Sequence, residues 1–132
     1  MVYVQDRMST GAHDLLLAAG YTDHETFGGE VTWNAEYGLR LSSGTRLSAA
    51  AGKAFHAPSS SDRFGYGGNP ALDPEVSRQL EIGVRQPLAG GRHELFAFAF
   101  ENRVEDLINF RLLDPLTFEL RAENIEEARI RG

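Results

Sequence analysis

Few residues in this 132-residue sequence are suited to chemistry, and their spacing rules out most of the usual reactions. Gly65-Tyr66-Gly67-Gly68 has glycine enough to cradle a phosphate. A phosphate loop also needs a Lys-Ser or Lys-Thr pair and a following helix, and neither is present. His13, His24, His56 and His93 carry imidazoles that bind zinc elsewhere, but here they are scattered without ligand spacing. Ser59-Ser60-Ser61-Asp62 sets hydroxyls beside a carboxylate, without the Gly-x-Ser-x-Gly elbow that activates a nucleophile. Asp62, Asp73 and Glu75 offer oxygens to calcium but lack the dense alternation of a calcium loop. The sequence has no cysteine, which removes thiolate nucleophiles, thiolate metal sites and disulfides together. The pattern therefore argues against an enzyme, and neither cofactor nor metal is expected. Arg63, Phe64 and Tyr66, at the tip of a long loop, remain as candidates for contact with a ligand.

The elements that must position that loop are read from charge and periodicity. The formal net charge is −6 and the pI near 5.2, so nonspecific attraction to nucleic acid is not expected. Basic residues are scattered rather than clustered, which argues against a polybasic membrane-surface patch. The longest apolar runs, such as Leu15 to Ala19 and Leu95 to Phe100, fall far short of the roughly 20 residues of a membrane-spanning helix. A helical membrane protein is thereby excluded. The start, Met1-Val2-Tyr3-Val4-Gln5-Asp6, has no basic stretch followed by an apolar one and is not a secretory signal. If the chain belongs in an outer membrane, its natural start is expected further upstream.

The hydrophobic period is two. In 31–41, Val31, Trp33, Ala35, Tyr37, Leu39 and Leu41 alternate with Thr32, Asn34, Glu36, Gly38 and Arg40, which gives a strand with one apolar face. The theme repeats less cleanly in 14–22, 46–56, 79–88 and 94–103, and 2–8 and 117–132 also read as strands, about seven in all. In 94–103, Phe96, Phe98 and Phe100 face one way and Leu95, Ala97, Ala99, Glu101 and Arg103 the other.

Connections alternate in length. Ser9-Thr10-Gly11-Ala12, Ser42-Ser43-Gly44 and Ala89-Gly90-Gly91 are tight turns. Between them come longer links at 23–30 and 57–76 and a medium one around Leu113-Asp114-Pro115-Leu116. Tight turns on one rim, longer loops on the other and strands of about ten residues predict an antiparallel transmembrane β-barrel segment. Tyr3, Tyr21, Trp33 and Phe55 are expected at the long-loop ends of their strands on the apolar face, the place of an interfacial girdle. Asp14, Glu36, Arg40, Arg46, Glu81, Arg85, Glu101 and Arg103, interspersed with glycine, are expected to line a wet lumen. A soluble sandwich, whose apolar face packs on a second sheet, is the competing reading of the same alternation. A porin-type barrel is another.

Four blocks, in order, carry a family resemblance. The first is Gly52-Lys53-Ala54-Phe55-His56-Ala57-Pro58. The second, Asn69-Pro70-Ala71-Leu72-Asp73-Pro74-Glu75 with Ser77, Glu81 and Gly83, resembles the pattern N-P-x-L-x-P-E-x-S-x-x-x-E-x-G. Asp106-Leu107-Ile108 is the third, and Asn124 with Ala128-Arg129-Ile130-Arg131-Gly132 the fourth. Together they resemble the barrel of TonB-dependent outer-membrane receptors, most of all the vitamin B12 (cobalamin) transporter branch. His56 departs from the Arg or Lys usual there. The resemblance implies that residues 1–132 are about a third of a 22-strand-type barrel. The signal peptide, plug domain and TonB-binding segment of such receptors are not recognisable in the chain. It implies import of a scarce nutrient, cobalamin or an iron–siderophore complex, across a Gram-negative outer membrane. The implied partners are outer-membrane lipid, the plug, and TonB through the N-terminal part of the receptor. Within the motif, Pro58, Asn69, Pro70, Leu72, Pro74, Glu75, Glu81 and Gly83 are expected to be structural. Pro70 and Pro74 fix φ and remove donors that would extend the sheet. Arg63, Phe64 and Tyr66 are the residues expected to touch a large, flat corrin or chelate by apolar contact.

Overall fold

The computed structural model describes residues 1–132 as seven strands: β1 (Val2–Thr10), β2 (His13–His24), β3 (Gly28–Arg40), β4 (Arg46–His56), β5 (Glu75–Leu88), β6 (His93–Asp114) and β7 (Glu119–Arg131). A short helix, α1 (Ser60–Phe64), sits between β4 and β5. Every strand pairs antiparallel with the next, in one sheet of order β1 to β7. No second sheet stacks on it, so the sandwich alternative fails. Only 6 of 132 residues are buried, so the chain has no core that could hold a free-standing domain. Both faces of the sheet depend on something else to cover them.

Register assigns the faces. Tyr37 lies opposite Leu15 and Ala49, Ala35 opposite Leu17 and Ala51, and Ala49 opposite Ile82. These residues form the outer face. The inner face curves round a trough of about 870 Å³ whose lining includes Gln5, Arg7, Asp14, Glu36, Arg46 and Glu81. Glycine admits close approach here: a Cβ on Gly38 would stand 3.1 Å from the Arg46 guanidinium. Arg40 and Arg46 in turn flank Asp14 at 3.7 and 3.6 Å.

Three sequence expectations change. Tyr3 lies opposite Gly20 and so faces inward, its hydroxyl bonded to Gln5 at 2.5 Å. It is not part of the outer aromatic set with Tyr21, Trp33 and Phe55. Phe98 lies opposite Gly83 and Phe100 opposite Glu81, so Phe96, Phe98 and Phe100 line the inner face. Glu101 and Arg103 therefore belong to the outer face, with Leu80 and Arg78 as their partners. Period-two alternation separates the two rows of β6 without saying which is which, because both contain apolar residues. Only pairing with β5 decides.

The third change is in the loops. The 23–30 link shrinks to a turn because His24 still pairs with Gly28. β6 and β7 run on to Asp114 and Glu119, beyond the end of β5 at Glu75. The two rims thus differ mainly through strands that overshoot and one true loop at 57–74.

Candidate functional site

The 57–74 loop folds against the overshoot of β6 and β7 and does not project freely. It starts at buried Pro58. Ser59 then caps α1: its hydroxyl accepts the Asp62 amide at 3.2 Å, while the Asp62 carboxylate accepts the Ser59 amide at 2.8 Å and its hydroxyl at 2.6 Å. These reciprocal bonds satisfy donors that the first helical turn leaves free. They hold the Asp62 carboxyl below the usual carboxylate range, the Ser59 hydroxyl contributing most and its backbone amide next.

After the helix the chain is latched to β7. The Ala122 amide donates to the Gly67 carbonyl at 2.7 Å, and the Asn69 side chain donates to the Ala122 carbonyl at 3.1 Å. Gly67 has φ +71° and an added Cβ would stand 2.6 Å from the Leu120 carbonyl oxygen, so both conformation and space require glycine. Asn124 makes the second latch. Its side chain accepts the Asp73 amide at 2.9 Å and donates to the carbonyls of Asp73 at 2.9 Å and Asp106 at 2.6 Å. Between the latches Leu72, 2% exposed, is buried, as are Val104 and Ala122. These are the only buried residues the loop, β6 and β7 supply, apart from Pro58.

Glu75 closes the base of the loop. Its carboxylate accepts the Ile108 amide at 2.7 Å, just beyond the last β5–β6 pair, Val76 with Glu105. The carboxylate thereby replaces the ladder partner that β5 no longer provides. Pro70 offers its carbonyl to Arg63 at 3.3 Å. Pro74 sits between Asp73, held by Asn124, and the start of β5. Glu81 and Gly83 lie lower, on the inner face of β5. A Cβ on Gly83 would meet the Ser48 hydroxyl at 2.6 Å and the Phe98 Cβ at 3.8 Å.

The three ligand candidates separate. Arg63 is committed between the loop and the β2–β3 turn, its guanidinium 5.4 Å from the Phe27 ring centre and 4.9 Å from that of Phe64. Phe64 and Tyr66 are 68% and 73% exposed. Tyr66 donates its hydroxyl to the Phe118 carbonyl at 3.0 Å, which joins the loop to the 115–118 turn. That turn adds Leu116 and Phe118, also widely exposed. Sequence reading missed this pair, although two large apolar residues flanking Thr117 in a turn opened by Asp114-Pro115 are a signal in themselves. Asp114 accepts the Leu116 amide at 2.8 Å and so shapes the turn. The result is a patch of Phe64, Tyr66, Leu116 and Phe118 on a latched scaffold, able to present flat apolar area at little conformational cost. The four histidines stay apart: two on β2 and one each on β4 and β6.

One antiparallel sheet with a polar concave side, tight turns on one rim and a latched loop on the other is the wall of a large β-barrel. The chain belongs to the TonB-dependent receptor-like β-barrel family, whose model matches residues 1–132. It is 32% identical over 111 residues to the vitamin B12 transporter BtuB of Vibrio vulnificus (strain YJ016), covering 83% of this chain and 18% of that protein. The crystal structure of the siderophore receptor PirA from Acinetobacter baumannii superposes with a TM-score of 0.78 at 20% identity, covering 98% of this chain and 24% of the other. The chain thus spans about a fifth to a quarter of the length of these proteins.

Proposed function

We propose that this chain is a segment of a TonB-dependent transporter in a Gram-negative outer membrane, one that captures cobalamin at the cell surface for import. The observation that carries the reading is the exposed set of Phe64, Tyr66, Leu116 and Phe118 on the loop rim, where the Asn69 and Asn124 latches hold the loop and Tyr66 ties it to the 115–118 turn; in this reading that rim is extracellular. A corrin is broad and apolar at its edges, and rigid rings on a fixed loop can bury it without ordering a flexible segment on binding. The 32% identity to a protein named as a vitamin B12 transporter favours cobalamin over an iron–siderophore complex. In this reading the outer face meets lipid, the inner face meets the plug, and TonB acts on the N-terminal part of the receptor. The segment supplies wall and part of the ligand platform; it performs no chemical step.

The test is a binding isotherm on the intact receptor in detergent, with cyanocobalamin and a ferric siderophore as separate probes. Cyanocobalamin is expected to bind, and Phe64→Ala or Tyr66→Ala to weaken it by about tenfold, the worth of one buried ring. Binding of the ferric chelate alone, or unchanged affinity in both variants, would overturn the assignment.

A further inference from the structure

Register sets four basic residues side by side on the outer face: Lys53 opposite Arg78, Arg78 opposite Arg103, and Arg103 opposite Arg129. Like charges directly opposite one another on adjacent strands repel, and sheets ordinarily avoid them. Each cation here takes a carboxylate from a neighbouring row or strand end. Lys53 meets Glu30 at 2.9 Å, Arg78 meets Glu105, Arg103 meets Glu101 at 2.5 Å and Arg129 meets Glu127 at 2.9 Å. Glu101 is shared with Arg131 at 2.6 Å, so five cations face four carboxylates. A network serving the sheet alone would alternate in sign along the row. Here the row of Lys53, Arg78, Arg103 and Arg129 repeats in sign, and opposite charges meet directly across strands only at Glu101 and Arg131 in the row below.

The height of the row is informative. Arg103 lies ten residues along β6 from His93, and Arg78 ten residues along β5 from Leu88. At about 3.3 Å per residue and a tilt of about 40°, both stand roughly 25 Å above the tight-turn rim. That is also about the height of a barrel's apolar band. Below them the outer face carries Leu80, Ile82 and Val84 on β5 and, past Glu101, Ala99, Ala97 and Leu95 on β6. The arginines therefore emerge where hydrocarbon gives way to headgroups. Their side chains are 40–53% exposed, and each uses one nitrogen in its ion pair, which leaves most guanidinium donors free for a further partner. Neighbours about 5 Å apart can bracket one phosphate with bidentate bonds.

We propose that Arg78, Arg103 and Arg129 bind the phosphorylated headgroup of a lipid in the outer leaflet, with Lys53, opposite Arg78, at the β4 end of the site. The proposal rests on the transporter reading only in taking the outer face as lipid-facing.

The experiment places the intact receptor in nanodiscs of phosphatidylcholine with or without phosphatidic acid. Retained lipid is counted by native mass spectrometry after extraction. The wild type is expected to retain phosphatidic acid in preference to phosphatidylcholine. The triple variant R78Q/R103Q/R129Q should weaken that retention about a hundredfold, at about fivefold per basic residue near an anionic surface. The variant E101Q/E105Q/E127Q, which frees the same arginines, should tighten it, whereas a purely structural ion network predicts no tightening. Equal retention by wild type and triple variant, or full displacement of the lipid by inorganic phosphate, would overturn the proposal. Heat-modifiable electrophoretic migration reports the barrel separately. A receptor that inserts but shows no headgroup preference defeats this proposal alone; one that never inserts defeats the transporter reading.

Discussion

Replacing Asn124 with alanine should release the 57–74 loop while leaving the barrel intact. The Asn124 side chain makes three hydrogen bonds, two to the backbone of Asp73 and one to that of Asp106. Nothing in an alanine replaces them. Only the two bonds to Asp73 cross to the loop, so at about 1 kcal/mol net for each the docked loop loses about 2 kcal/mol relative to the released one. That corresponds to roughly a thirtyfold rise in the released population. The Ala122 amide is the natural reporter, because its acceptor is the Gly67 carbonyl of the loop itself, at 2.7 Å. Hydrogen exchange of the peptide containing Ala122, measured on the intact receptor in detergent, should accelerate by about that factor. Amides in the middle of β3 and β4 should keep their protection. If Ala122 exchanges at the wild-type rate in the variant, the loop is not held by this latch and the scaffold argument for the rim patch fails. If protection is lost across the whole sheet, Asn124 supports the barrel rather than the loop.

Three further outcomes follow from the same geometry. Leu72→Ala, at a side chain 2% exposed, should cost the docked loop about 2–4 kcal/mol and open 57–74 to limited proteolysis without changing the heat-modifiable migration of the barrel. The Asp62 carboxyl is held below its ordinary range, so its contribution to the α1 cap is complete above the unfolded carboxylate pKa of about 4 and is lost as pH falls through the lower folded value. Exchange of the Ser59 amide, which donates to that carboxylate, should therefore be protected equally from neutral pH down to about 5, once corrected for the intrinsic pH dependence of exchange, and lose protection only below about 4. The isolated 132-residue chain should fail to fold in water, because the sheet has two unpaired edges and almost no interior. A monodisperse species unfolding cooperatively without detergent, by circular dichroism and sedimentation, would contradict that.

Much of the fold was legible because barrel strands alternate cleanly where one face is apolar throughout. Val31 to Leu41 shows this best, and the bounds of β4 follow from Arg46 to His56 in the same way. Legibility ended where both faces carry apolar residues. Phe96, Phe98 and Phe100 could be told from Leu95, Ala97 and Ala99 only through the pairing of Phe98 with Gly83. Tyr3 was misplaced for the same reason, since Val2 and Val4 beside it are equally apolar and its pairing with Gly20 decides the side. Glu101 and Arg103 misled differently. Charge was taken to mean lumen, whereas a strand that overshoots the bilayer can carry charge on its outer face once it clears the hydrocarbon. The loop latches were out of reach because Asn69 and Ala122, or Asp73 and Asn124, are about fifty residues apart in sequence and meet only after β5, β6 and β7 have paired.

The central claim is that one face of this sheet meets hydrocarbon and the other a wet lumen. The chain contains no cysteine of its own, so a single cysteine introduced along it meets no competing thiol within this segment. The direct measurement is nitroxide scanning of positions 31 to 41 in the intact receptor reconstituted in lipid, with oxygen and a water-soluble nickel chelate as relaxing agents. Labels at Ala35, Tyr37 and Leu39 should be relaxed by oxygen, and labels at Asn34, Glu36 and Gly38 by the chelate or by neither where the plug covers them. Accessibility without a period of two, or chelate access at Ala35, Tyr37 and Leu39, would contradict the account.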